Sequence, residues 1–182
     1  MNPPMAQASH FRKHLIRLFP LVLPALLCLA ATSCEKDDIC VDGDTPQLVI
    51  TFFDYTAPET ARAVSNLRVI GLGKDTPVDT FSDRSNRDSV GLPMRADANR
   101  TGFVLISNSA DNAEGAETGN RDTLYFDYET RSVFVSRACG FVPNFDSLSA
   151  TSQPDASNWI DSVQVRQTTI ENSTSAHVSI YF

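Results

Sequence analysis

From Leu48 onward the apolar residues of this chain recur at every second position, and no helical period of three to four holds for ten residues. Side chains of an extended chain point alternately to opposite sides, so a spacing of two sorts them onto two faces and selects strands. In 47–54, Leu48, Ile50 and Phe52 share one face while Val49, Thr51 and Phe53 share the other. Apolar residues on both faces suit an interior strand of a two-layer structure. The same alternation predicts strands at 66–72, 87–94, 101–107, 122–128, 131–137, 159–170 and 176–182. Turn chemistry separates them at Asp42-Gly43-Asp44, Gly71-Leu72-Gly73, Ala113-Glu114-Gly115 and Pro143-Asn144. Tyr128-Glu129-Thr130-Arg131 reads as a short hairpin turn, 107–121 as a mobile tip or insertion, and 145–157 as a long connection. The expected fold is all-β, a two-layer antiparallel β-sandwich of about eight strands.

The residues before Cys34 have a different character. Arg12, Lys13 and Arg17 precede an apolar run, and Ala31-Thr32-Ser33 are small residues directly before the cysteine. Positive, then apolar, then small is the order of a secretory signal. The run from Leu18 to Ala31 is shorter than the ~20 residues a spanning helix needs, and Pro20 and Pro24 interrupt it. A cysteine at the first mature position resembles bacterial lipoprotein signals, in which the thiol takes a diacylglyceryl group and the new amino terminus is acylated. Ala31 stands where such signals usually place leucine. The alternative is ordinary cleavage near Ala31 and release of a soluble protein. Lys36, Asp37 and Asp38 after Cys34 are similar to the surface-export signal of Bacteroidota lipoproteins, and read otherwise as a solvated linker. The expected organisation is a lipoprotein signal peptide at 1–33, a lipid-anchored spacer at 34–39 and one sandwich domain at 40–182.

Charge and cysteines narrow the partners. The segment before Cys34 holds three of the fifteen Lys and Arg and none of the 22 acids, which leaves the mature chain at a formal −10. That balance argues against nucleic acid or anionic lipid as a partner, because either needs basic patches. Of the four cysteines, Cys28 leaves with the signal and Cys34 is the lipid-attachment residue, so Cys40 and Cys139 remain. Outside the cytoplasm a leftover pair of this kind forms a disulfide. Two buried thiols or a metal pair are the alternatives, and a metal would need further ligands that do not lie nearby in the sequence. With Cys34 six residues before Cys40, a bridged domain sits within ~20 Å of its acylated residue at ~3.3 Å per residue.

Chemistry is sparse. His177 is the one histidine after Cys34, and it shares a strand face with Ser179 and Tyr181 that reads as solvent-facing. A carboxylate-dependent hydrolase would draw on Asp54, Asp122, Asp127 or Asp161, and nothing in the sequence singles out two of them. Asp37, Asp38, Asp42 and Asp44 have the oxygen richness calcium favours, without the fixed loop that makes such a site specific. Ser89, Thr123, Ser147 and Ser162 each follow an aspartate and precede an apolar residue, which resembles the acceptor triplet of Bacteroidota O-glycosylation. No cofactor is implied. The closing Val178-x-Ile180-x-Phe182 resembles the last strand of outer-membrane barrels, but most strands here are shorter than the ~9–11 residues a spanning strand needs.

Taken together, Cys34-x-Lys36-Asp37-Asp38-Ile39-Cys40, Thr45-Pro46-x-Leu48 with Phe52-x-Asp54, Asp122-Thr123-Leu124, Val135-Ser136-Arg137-Ala138-Cys139-Gly140, Asn158-Trp159-Ile160 and Ala176-His177-Val178 are similar to an uncharacterised lipoprotein family of Bacteroidota. The resemblance implies an envelope location and supplies no catalytic residue. The expected function is therefore a lipid-anchored, non-enzymatic binding or accessory module at the outer membrane, facing the periplasm or the cell surface. Its partner would be a protein or glycan. A pilus-like structural subunit and, behind it, the hydrolase are the alternatives.

Overall fold

The computed structural model describes Cys40 and residues 44–182. Among these residues nine strands form two sheets and there is no helix. The first sheet contains β1 (Leu48–Phe53), β4 (Ser89–Leu92), β8 (Ser162–Val165) and β9 (Val178–Tyr181), in the order β4-β1-β9-β8. The second contains β2 (Val64–Gly71), β3 (Ser85–Arg87), β5 (Arg100–Ser107), β6 (Asn120–Ser136) and β7 (Gly140–Gln153), in the order β3-β2-β5-β6-β7. The all-β sandwich is the fold. One pairing departs from the antiparallel expectation: β9 returns from β8 and lies parallel to β1, with Ile50 beside Val178 and Phe52 beside Ile180.

The core is the set of inward positions that the alternation selects. Leu48, Ile50, Phe52, Leu92, Val178 and Ile180 of the first sheet face Leu67, Val69, Phe103, Leu105, Leu124 and Phe126 of the second, and all are buried. Aromatic edges add to the packing, with Trp159 against Phe182 at 5.4 Å between centroids and, within the second sheet, Tyr128 against Phe145 at 5.1 Å.

The second half of the chain differs from the sequence reading. Residues 122–128 and 131–137 belong to one strand, β6, and Tyr128-Glu129-Thr130-Arg131 is not a turn. The turn comes after Ser136, where Ser136 Oγ accepts from the Cys139 N–H and Gly140 takes φ +68°. Residues 145–157, expected as a connection, mostly form β7. The alternation of β7 is hidden by a bulge, because the pairs Asp127–Ser149 and Glu129–Asp146 leave Tyr128 opposite both Ser147 and Leu148. Ser147 takes φ +57° there, so Phe145 and Leu148 point into the core although they stand three apart.

The tip at 107–121 is tied down rather than loose. The Glu117 side chain, 7 % exposed, accepts from Ser109 Oγ at 2.7 Å, Gly119 N–H at 2.9 Å and Ala110 N–H at 3.0 Å. It also pairs with Arg68 at 3.2 Å and Arg84 at 3.3 Å. Burial alone would raise its carboxyl, but these donors overcome it and hold the group at about 2. Gly119 is required because a Cβ would stand 2.7 Å from the Ser107 carbonyl oxygen.

Candidate functional site

One concavity has the size of a ligand site. It lies where β2 ends, β4 ends and β5 begins, and encloses about 780 Å3. The chain reverses after β2 through Gly71-Leu72-Gly73-Lys74, with the Lys74 N–H donating to Gly71 O at 2.9 Å and Gly73 at φ +78°, a conformation that favours glycine. The Leu72 N–H donates to Gly102 O at 2.8 Å, which lays the Leu72 side chain over β5. A Cβ on Gly102 would stand 2.3 Å from Leu72 Cδ1 and 3.1 Å from the Tyr125 ring. Glycine at 102 is thus what lets this wall close. The Val78 N–H then donates to Val69 O at 2.9 Å and returns the loop along β2.

A closed polar triangle fixes the opposite wall. Tyr128 OH donates to Arg95 O at 2.8 Å, the Arg95 N–H donates to Thr101 Oγ1 at 3.1 Å, and Thr101 Oγ1 lies 2.6 Å from Tyr128 OH. With its own proton committed to Arg95, the phenol accepts from the Thr101 hydroxyl. Burial pushes the Tyr128 phenol above its ordinary value, so it remains the protonated donor.

The lining combines an apolar interior with a cationic rim. Leu72, Val78, Met94, Phe103 and Tyr125 supply the walls; Lys74, Arg95 and Arg100 stand around them against one carboxylate, Asp79. Arg95 is held by Asp97 at 3.0 Å. Arg100 is held by Asp127 at 2.9 Å, and its guanidinium lies 5.4 Å from the centroid of the Tyr125 ring. Lys74 makes no ion pair among the described residues. Arg95 and Arg100 are thus offset by their carboxylate partners, and Lys74 is the rim cation left without one among the described residues. The lining holds no histidine or cysteine.

None of the sequence-derived residues except Asp127, through Arg100, touches this cleft. Cys40 and Cys139 are disulfide-bonded, with Cα atoms 4.8 Å apart. Cys34, Lys36, Asp37, Asp38 and Asp42 lie outside the described residues, and Asp44 is exposed. Among the described residues no group of three His, Cys, Asp or Glu could hold a metal. The four hydrolase aspartates each have local duties. Asp54 accepts from Thr56 and Ala57 in a turn, Asp127 is paired with Arg100, and exposed Asp161 donates its N–H to Tyr181 O. Asp122 is fully buried and accepts from the Ile160 N–H at 2.8 Å and the Trp159 N–H at 3.3 Å. Burial raises its carboxyl, and those two donors act against the rise.

His177 is a correction. It is 1 % exposed rather than solvent-facing, its Nδ1 accepts from the Val49 N–H at 3.0 Å, and burial lowers its pKa. The same face of β9 carries Ser179 and Tyr181, and Arg166 reaches across it to Ser179 Oγ and Tyr181 OH. Of the glycosylation candidates, Ser89, Ser147 and Ser162 are exposed and Thr123 is half-buried on β6.

A model of a family of unknown function (DUF6452) matches residues 66–182, more than half of the chain, and the chain belongs to that family. The match contains every residue of the cleft but leaves out Cys40 and β1. No curated protein and no solved structure matches the chain.

Proposed function

We propose that this member of a family without an assigned activity is a lipid-anchored cell-envelope protein, held at the outer membrane through Cys34, that binds a small molecule with an apolar body and one acidic group. The cleft carries the reading: its walls are apolar, and Lys74 stands at its mouth without an ion pair among the described residues, while Arg95 and Arg100 are held by Asp97 and Asp127. Burial of the apolar body provides affinity at roughly 25 cal/mol per Å2, and the rim orients the acid. The signal-like residues before Cys34 and the disulfide at Cys40 support an extracytoplasmic setting. The acidic mature chain supports a partner other than nucleic acid.

Calorimetry on the full protein in nanodiscs, with 2-naphthoate as the probe, tests the cleft. The expected result is saturable one-to-one binding that exceeds binding of uncharged 2-naphthylmethanol and weakens about fivefold in Lys74→Glu, as an exposed charge contact implies. Equal binding of both probes, or none, overturns the ligand class. Intact mass of the membrane-extracted protein tests the anchor independently, through the presence or absence of fatty-acyl mass on a chain beginning at Cys34.

A further inference from the structure

The far end of the β6–β7 hairpin carries a feature that the cleft does not explain. Phe134 and Phe141 face each other across the two strands, 5.4 Å between centroids and edge to face. They are 56 % and 68 % exposed, whereas Phe52, Phe103, Phe126 and Phe145 are buried in the core. Val133 and Val142 pair directly on the hairpin's other face and are only half-buried. From Thr130 to Phe145 there is no acid in a chain that holds 22, while Arg131 and Arg137 lie in that stretch. Arg137, at the turn, makes no ion pair among the described residues.

The disulfide gives this patch a neighbour. Phe141 is two residues beyond Cys139, and Cys139 is bonded to Cys40. Cys40 is six residues from Cys34, a span of at most ~20 Å. An acyl group on Cys34 therefore keeps the hairpin end close to the lipid surface. Aromatic rings partition favourably to the boundary between headgroups and acyl chains, and an arginine beside them meets lipid phosphates.

We propose that the hairpin end is a membrane-contacting element, with Phe134 and Phe141 seated in the lipid interface and Arg137 at the headgroup phosphates, as a second point of attachment beside the acylated cysteine. The inference rests on the anchoring stated above. It makes the lipid, rather than a protein or glycan, the occupant of the exposed aromatic pair.

The test uses the full membrane-extracted protein carrying Phe141→Trp or Phe134→Trp in phosphatidylethanolamine–phosphatidylglycerol vesicles, with brominated acyl chains as quencher. Trp159, the one native tryptophan, is the internal reference in the body of the domain. The expected result is a blue-shifted emission from the new tryptophan, quenched by bromine, with the Trp159 signal of the unsubstituted protein unchanged. Intact mass is read on the same sample. Acyl mass without quenching overturns the hairpin contact and leaves the anchor standing. A blue shift without quenching means that protein covers the rings, and overturns it as well. A chain without acyl mass overturns the anchoring, and the hairpin contact with it.

Discussion

The two halves of the β6–β7 hairpin have nearly the same composition of alternating apolar and polar residues but behave as different materials. In the half nearest the sandwich, Leu124, Phe126 and Tyr128 alternate with polar residues and are buried, because β5 lies on one side and the first sheet lies beneath. In the far half, Val133 and Val135 share a face and are only half-buried, and Phe134 between them is exposed on the other. The boundary is the point where β5 begins, at Arg100 paired with Asp127. Alternation therefore specifies a strand in both halves, but only the neighbouring layer converts an apolar position into a core position. The far half is instead stapled at its end by Cys40–Cys139.

The sharpest test of that difference is truncation of one ring in each half. Phe126→Ala, at a fully buried position, should cost roughly 4 kcal/mol in urea unfolding. Phe141→Ser should change the same midpoint by less than about 0.5 kcal/mol, as an exposed site does. Similar losses at both positions would erase the distinction. Replacing Cys40 and Cys139 together by serine releases a closure of 99 residues and should cost about 3 kcal/mol, within the range for native bridges. Its local signature matters more than its size. Amide exchange should accelerate at Val133 to Val142 while Leu124 and Phe126 stay protected, and uniform acceleration would mean that the hairpin is one cooperative unit.

A smaller effect separates the regions by pH. His177 has its folded pKa depressed by burial, so its contribution is present above the unfolded value of ~6.5 and is lost as pH falls through the folded value. Stability measured at stepwise lower pH should fall in that window. His177→Asn should flatten the slope, since its Oδ1 takes the place of Nδ1 as acceptor for Val49. The disulfide-free protein should keep the slope unchanged, because the hairpin end contains no histidine or acid. A slope that disappears with the disulfide would place the titrating group at the wrong end.

Much of the body was legible because one face of each long strand is buried by the opposite layer, so Leu48, Ile50, Phe52, Phe103 and Leu105 appear as a period of two. The Cys40–Cys139 pairing was legible by elimination. What escaped depended on neighbours that no local window contains. β7 was lost because the bulge at Ser147 shifts its phase and Pro143 imitates a turn. Glu129, Thr130 and Arg131 read as a turn because they are polar, yet they continue β6. His177 reads as solvent-facing because alternation gives its face but not the Arg166 side chain that covers that face. The cleft left no trace, since Lys74 stands in the loop after β2 and Arg95 and Arg100 between the end of β4 and the first residue of β5, two segments that only the fold brings together.

The position of β9 also dictates the order in which the molecule can be made. It occupies an inner place in its sheet, between β1, the earliest strand, and β8. Before β9 is in place β1 has one strand partner, β4, and β8 has none, so the first sheet stays open until β9 pairs. Pairing across that separation is slow relative to local contacts. The first sheet is therefore expected to close after the hairpin pairings of the second, whose strands do not depend on β9.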